Sequence, residues 1–351
     1  MRLKLGRLNL GRLNPRRLNL NLKRTASNDM LTMVALTTVG LGMLLVMVAI
    51  PVGVHLGFRA PRRRETGSPA DLGLDFEAVR FRTVRERDLF GWLLLAPGAT
   101  CTIVVVHGWG GNAELMLPLA APLQRAGFNL LLYDARNHGS SDGDTFSSLP
   151  RFAEDLGMAI AWLKRHQPHR AARIAVLGHS VGAGAALFEA TRNPDIGAVI
   201  SIAAFADPAE VTQGYLRHLR LPHLLVRLIS RYVEWVIGHR FATIAPLNSV
   251  RRITCPVLLV HGKDDQMVPI GDARRLLASC RAPQVRLLEI DGAGHDSTDQ
   301  IERHVGALLE FLDGPCSNQC ANRHKLSSDS GPTRPATPAT NAQAERIGAW
   351  Q

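Results

Sequence analysis

The stretch "IAVLGHSVGAG", residues 174–184, decides how the rest of the chain is read. An apolar run, Ile174-Ala175-Val176-Leu177, stops at Gly178-His179-Ser180-Val181-Gly182. This is the G-x-S-x-G pattern of a nucleophile elbow, in which a buried strand turns sharply into a helix and the serine sits at the apex on strained backbone. Glycines are needed two residues to either side because a Cβ there would collide with the turn. Ala183, Gly184, Ala185 and Ala186 then open a helix able to pack closely on the strand. In a chain with 31 glycines the motif is weak alone. It gains meaning only if partners for Ser180 appear elsewhere, in the right order.

Three other strand ends supply them. "VVVHGWGGN" (104–112) turns tightly after an apolar run. Its glycines let a backbone N–H approach the elbow, so that Trp109 and Val181 are the expected oxyanion-hole donors. His107 is read as a structural residue that locks this loop. "LLVHGKDDQMVP" (258–269) ends another run and offers two carboxylates, Asp264 and Asp265; "IDGAGHD" (290–296) ends the last one and offers His295. Serine, acid, histidine is one of three known chain orders for this triad and differs from the other two. The chemistry needs all three groups: an imidazole to take the Ser180 proton and return it to the leaving group, and a carboxylate to fix the imidazole tautomer.

The surrounding pattern alternates short apolar runs with helix-like stretches. "FEAVRF" (76–81) and "LFGWLLLA" (89–96) read as an antiparallel entry pair. "TIVVVHG" (102–108), "NLLLYD" (129–134), "RIAVLGHS" (173–180), "AVISIAA" (198–204), "PVLLVHG" (256–262) and "VRLLEID" (285–291) follow. Ser147 and Ser148 ahead of Pro150 give a helix-start signal. This alternation implies a mostly parallel sheet covered on both faces, with chemistry at the carboxyl ends of the strands. Residues 205–252 interrupt it. "YLRHLRLPHLLVRLISRYVEWVIGHRF" (215–241) is amphipathic and helical in pattern and reads as a lid over the strand ends, or else as ordinary surface helices.

The net charge of +11 first suggests nucleic acid, but its location excludes that partner. Residues 1–29 carry eight Lys/Arg against one Asp, and Arg59, Arg62, Arg63 and Arg64 supply four more. From residue 65 onward, 29 basic residues face 29 acidic ones. Between the two basic clusters, residues 30–58 contain no Asp, Glu, Lys or Arg, and "LTMVALTTVGLGMLLVMVAI" (31–50) is long enough to cross a bilayer. A signal peptide or a buried core helix are the other readings; the stretch is long for the first and lacks a small-residue cleavage site. Basic residues before the helix favour the N-terminus inside. Initiation at Met30 would leave only the charges after it and reverse that preference.

The chain therefore divides into a basic low-complexity tail (1–29), in which Arg-Leu-Asn recurs at five-residue spacing, a transmembrane helix (30–58), a polar linker (59–73), a catalytic domain (74–313, lid 205–252) and a disordered tail (314–351). Cys101, Cys255, Cys280, Cys316 and Cys320 show no metal spacing; Cys316 and Cys320 are close enough to pair.

Over residues 75–313 the sequence resembles the α/β-hydrolase superfamily, in its serine-hydrolase branch, and is similar to monoacylglycerol-lipase-like and serine-aminopeptidase-like members. "HGWGG", "YDARNHGSSDG" (133–143), "GHSVG", "HGKDDQMVP" and "GAGH" carry the resemblance. It implies an α/β-hydrolase fold with a sheet of about eight strands, a helical lid and no metal or organic cofactor. In this branch the acid falls in H-G-x-x-D-x-x-V-P, which maps onto Asp265 and leaves Asp264 as the alternative. Asp134, Asn137 and His138 match a loop that braces the site, and His179 is read as packing or hydrogen-bonding beside the nucleophile. The usual Asp-Gly turn between the first two strands is replaced by "RERD" (85–88). The expected activity is cleavage of a small-molecule carboxylic ester, with an apolar lid suited to a lipid-like acyl chain. The rivals are a peptidase or amidase on the same triad, an acyltransferase, and a non-catalytic binding protein that keeps the fold.

Overall fold

A computed structural model describes residues 15–280 and 284–316. Eight strands form one sheet: β1 (Glu77–Thr83), β2 (Arg87–Leu94), β3 (Cys101–Val106), β4 (Asn129–Tyr133), β5 (Arg173–His179), β6 (Ile196–Ile202), β7 (Val257–Gly262) and β8 (Val285–Ile290). Their order is β1-β2-β4-β3-β5-β6-β7-β8. β1 and β2 pair antiparallel, β2 pairs antiparallel with β4, and every later pair is parallel. The eight apolar runs read from sequence are these eight strands.

β3, β4 and β7 are buried along their whole length. Because side chains alternate across a strand, one continuous apolar run feeds two cores. Val104, Val106, Val176 and Leu131 join the core on one face, while Ile103, Val105, Ala175 and Leu177 join the core on the other. Burial on both faces is why these strands read as unbroken runs rather than as alternating ones.

The long helix α1 (Pro15–Gly57) precedes the sheet. Its stretch Asn28–Gly57 is long and apolar enough to cross a membrane; its most apolar window is unburied, whereas Ile50 and Val54 near its end pack against the main core. The helices α2 (Leu117–Arg125), α3 (Leu149–His166), α4 (Val181–Ala190), α5 (Pro208–His218), α6 (His223–Ile237), α7 (Phe241–Ile244), α8 (Pro246–Ser249), α9 (Ile270–Ser279), α10 (Thr298–Glu302) and α11 (Val305–Cys316) cover the two faces. α3 starts where the Ser148–Pro150 signal puts it, with Ser148 as N-cap. α5 to α8 fill the expected lid between β6 and β7. They break at Leu219–Pro222, where Arg220 takes a positive φ of 51°.

Three segments differ from their sequence reading. The stretch 59–73 is laid against the domain and ends in a short 3-10 turn, Pro69–Leu72. Cys316 is disulfide-bonded to Cys101, 215 positions away, because α11 returns its last turn to the start of β3. Cys320, close enough in sequence to pair with Cys316, lies outside the described residues, as does the tail from residue 317 onward. In the "RERD" turn, Arg85 and Glu86 both adopt left-handed backbone, with φ of 59° and 57°, the conformation that an Asp-Gly pair supplies without strain.

Candidate active site

Parallel register brings four chain reversals to one edge of the sheet. Val106 of β3 pairs with Gly178 of β5, His179 with Ile202 of β6, and Gly262 of β7 with Ile290 of β8. The loops that follow β3, β5, β7 and β8 therefore meet at the carboxyl ends of the strands.

Ser180 stands between β5 and α4 as the N-cap of that helix, at φ 54° and ψ −118°. A non-glycine residue holds such a conformation only when its surroundings over-determine it. Here the Ser180 N–H donates to the Ile202 carbonyl at 2.8 Å and the Gly184 N–H donates to the Ser180 carbonyl at 3.1 Å. The two flanking glycines answer different demands. A Cβ on Gly178 would sit 2.4 Å from the Gly182 carbonyl oxygen, inside the elbow itself; one on Gly182 would sit 2.4 Å from the His107 carbonyl oxygen, at the end of β3. The second clash shows how tightly the elbow is pressed against the loop before Trp109.

His295 follows β8. Its Nε2 lies 3.0 Å from Ser180 Oγ, and its Nδ1 lies 2.7 Å from Asp265 Oδ2. The carboxylate can only accept from Nδ1, so Nε2 is left to accept the serine proton. Asp265 is buried. Its second oxygen, Oδ1, accepts the backbone N–H groups of Met267 at 2.9 Å and Val268 at 2.8 Å. Burial acts to raise its pKa, but the His295 hydrogen bond and these two N–H groups outweigh burial and hold it below the ordinary carboxylate value. Asp264, the alternative acid, is exposed.

Val181 is the first residue of α4, so its N–H has no acceptor within the helix. The loop 107–112 lies alongside: a Cβ on Gly108 would meet Ser180 Cβ at 3.2 Å and His179 Nδ1 at 2.9 Å. Trp109 follows directly and is 39% exposed. His107 locks this loop, as its Nε2 accepts the Ala135 N–H at 3.0 Å and its Nδ1 donates to the Gly108 carbonyl at 2.7 Å. Burial first, and neighbouring His138 second, push its pKa down to about 3, so it remains neutral.

The loop after β4 braces the site. Asp134 accepts the N–H groups of Ala113 and Ser140, each at 2.8 Å, tying the 107–113 loop to the 134–144 loop. His138 packs edge-on against Trp109, with ring centroids 6.2 Å apart. Arg136, which sequence reading passed over, is buried and pairs with Asp155 at 2.8 Å and Glu154 at 2.7 Å on α3. His179, expected to pack or hydrogen-bond beside the serine, does hydrogen-bond: its Nε2–H donates to the backbone carbonyl of His295 at 2.8 Å.

The lid splits its apolar residues. Ile229 and Val233 are buried in the main core, and Leu216, Leu221, Leu225 and Ile237 pack partly against it. Leu224, Leu228 and Trp235 face outward, 68%, 56% and 74% exposed. Among the described residues, His179, His295 and Asp296 bring ligand-type atoms within 4.8 Å of one another. Both ring nitrogens of His295 are already engaged, by Asp265 and Ser180.

Comparison with known proteins places the family and the fold. Residues 98–249 match the family model described as serine aminopeptidase, S33. An uncharacterised protein of Bacillus subtilis, YqkD, is 30% identical over 262 residues, covering 72% of this chain and 85% of its own. A thermostable monoacylglycerol lipase of a Bacillus species is 26% identical over 230 residues, covering 60% of this chain and 89% of its own. The crystal structure of the Pyrococcus furiosus esterase Pf2001 superposes with a TM-score of 0.60 at 26% identity, over 73% of this chain and 97% of that one. The chain belongs to the serine-hydrolase branch of the α/β-hydrolase superfamily, among its esterase- and lipase-like members.

Proposed function

We propose that this chain is a membrane-anchored serine hydrolase that cleaves carboxylic esters through an acyl-enzyme, with Ser180 as nucleophile, His295 as base and acid, and Asp265 as the group that orients the imidazole. The observation that carries this reading is the unbroken chain from Asp265 Oδ2 to His295 Nδ1 (2.7 Å) and from His295 Nε2 to Ser180 Oγ (3.0 Å). Both distances lie within hydrogen-bond reach for a nucleophile and its base.

In the acylation step Ser180 Oγ bonds to the ester carbonyl carbon while its proton passes to His295 Nε2. The C=O electron pair moves onto oxygen, where the N–H groups of Trp109 and Val181 stabilise the charge. Collapse breaks the bond to the alkoxide, which takes the proton from Nε2 and leaves as alcohol. Water then gives a proton to Nε2 and attacks the acyl carbon; collapse frees the acid and returns the proton to Ser180. Asp265 stays ionised throughout, consistent with its lowered pKa, and stabilises the imidazolium.

The anchor reading is supported by the end of α1. Ile50 and Val54 pack against the main core, and the Phe58 carbonyl accepts the Ser147 N–H at 2.9 Å. Removal of this helix as a signal would strip contacts from the folded domain. A peptidase on the same triad is the second reading, favoured by the serine aminopeptidase description of the matching family model. The test is kcat/KM on p-nitrophenyl esters and aminoacyl anilides for wild type, Asp265→Asn and Asp264→Asn. The proposal expects esters to be preferred, a severe loss for Asp265→Asn and a mild one for Asp264→Asn. A swap of the last two overturns the acid assignment, and a preference for anilides establishes the peptidase.

A further inference from the structure

We propose that residues 58–67, immediately after the membrane helix, form a strap that positions the oxyanion loop, making the anchor and the site one mechanical unit. The inference rests on the reading of Trp109 and Val181 as oxyanion donors.

The segment looks like a linker by composition, with four Arg in ten residues, one Pro and one Gly. Its contacts are those of a built element. The Phe58 ring packs edge-on against Trp109, with centroids 6.4 Å apart and planes at 86°. Trp109 thus has edge-on ring contacts with both Phe58 and His138. Pro61 lies behind the next residue: a Cβ on Gly110, which has φ 69°, would meet Pro61 Cγ at 2.9 Å. The strap then crosses both loops that frame the site. Arg62 Nε donates to the Asn137 carbonyl at 3.2 Å, and Asn112 Nδ2 donates to the Arg63 carbonyl at 3.3 Å. Ser140 Oγ–H donates to Glu65 Oε2 at 2.6 Å. The far end is clamped by Glu114, which accepts the N–H of Thr66 at 2.7 Å, its hydroxyl at 3.0 Å and the N–H of Gly67 at 3.0 Å.

An oxyanion donor is useful only when fixed where charge develops, because its stabilisation depends on not having to reorganise. The 107–112 loop is held from within by His107 and Asp134. On its outer side it is held by the strap: Phe58 and Pro61 press on Trp109 and Gly110, and Asn112 and Glu114 are tied to strap backbone. Phe58 and Glu114 are therefore positioning residues that act through the Trp109 N–H. The strap begins one residue after α1 ends at Gly57, so displacement of the membrane helix is transmitted to the loop.

The test uses the full-length protein in lipid nanodiscs. Phe58→Ala and Glu114→Ala are compared with the conservative Phe58→Leu and Glu114→Gln, with Tm as a check on folding. The strap predicts that Phe58→Ala lowers kcat about 10- to 100-fold, less than or comparable to deletion of one oxyanion donor, with KM changed less than twofold. The affinity of an alkyl boronic acid, whose tetrahedral adduct places an oxygen in the hole, should weaken by the same factor as kcat/KM falls. Phe58→Leu should recover most of the loss. Hydrogen exchange over 107–114 should quicken in both alanine variants, and this readout does not depend on turnover. Unchanged exchange there overturns the strap, as does a folded Phe58→Ala protein with wild-type kcat and boronate affinity. Should Phe58→Ala fail to fold, the same comparison is made on Glu114→Ala and Phe58→Leu. A wild-type protein without esterase activity would instead overturn the proposed function and leave the exchange result to decide the strap.

Discussion

His179 Nε2 donates a hydrogen bond to the backbone carbonyl of His295 at 2.8 Å. The residue before Ser180, the proposed nucleophile, thus holds the backbone of His295, the proposed base. Burial keeps the His179 pKa below the ordinary histidine value, so the ring is neutral and carries its proton on Nε2 to make this bond. His179→Ala should lower kcat about tenfold, the value of one buried hydrogen bond of ~1.5 kcal/mol, with little change in KM. His179→Gln, whose amide can donate, should restore part of it. Steady-state kinetics on one ester checks this; equal kcat for the alanine variant and wild type would remove the tether from the account.

The turn between β1 and β2 stores strain. Arg85 and Glu86 both sit at positive φ, where a side chain costs roughly 1–2 kcal/mol per residue. Glu86→Gly should relieve about 1 kcal/mol and raise Tm by roughly 2–4 °C for a domain of this size. A fall in Tm on thermal melting would mean that the Glu86 contact with Arg82 outweighs the strain.

Asp134 gives stability a specific pH dependence. Burial, and then the hydrogen bond with the Glu65 carboxyl, push its pKa up to about 8. The unfolded value is about 3.9, so between these two the folded state keeps a proton that the unfolded state releases. Its contribution is present in full below pH ~4 and is lost as pH rises toward 8. Asp155, pushed up to about 6 by burial, adds a slope of the same sign at lower pH. His107 and His138, pushed down to about 3 and about 4, stay neutral above pH 6. Glu65→Gln leaves Asp155 untouched, so Tm between pH 6 and 8 should fall less steeply in the variant than in wild type. Parallel curves would show that the carboxyl pair does not share a proton.

The lid sets an expectation for acyl length. Leu221, Leu225 and Ile237 pack partly buried against the core that includes Val181, whereas Leu224, Leu228 and Trp235 turn away from it. Each methylene buried by the substrate contributes about 0.8 kcal/mol. Four added carbons should then raise kcat/KM by up to about a hundredfold if that energy is realised in the transition state. Esters from C2 to C12, measured below their critical micelle concentrations, should show a rise to C8 or beyond. A maximum at C2 to C4 would point to small polar esters.

The legible parts of this molecule are those where one side chain answers to one local rule. Buried parallel strands must be apolar on both faces, so β3 to β7 could be read as runs, while the antiparallel β1, with one face exposed, shows the alternation of its burial. Ser180, Asp265 and His295 each follow such a run, so topology alone brings them to one sheet edge. What could not be read depends on partners far apart in sequence. The segment 58–67 binds partners distant in sequence, such as Glu114, 48 positions from Thr66, and its own composition is that of a linker. Cys101 finds Cys316 only because α11 returns across the sheet. The lid's apolar residues share one pattern, and only packing separates Ile229, which is buried, from Leu228, which is exposed.

The central claim is that Ser180 becomes acylated. The most direct measurement is mass spectrometry of the full-length protein after brief reaction with a p-nitrophenyl ester or a fluorophosphonate, followed by peptide mapping. The account predicts one adduct per chain, on the peptide containing Ser180, that is absent in Ser180→Ala and slow to form in His295→Ala. An adduct on another residue, or ester hydrolysis undiminished in Ser180→Ala, would contradict it.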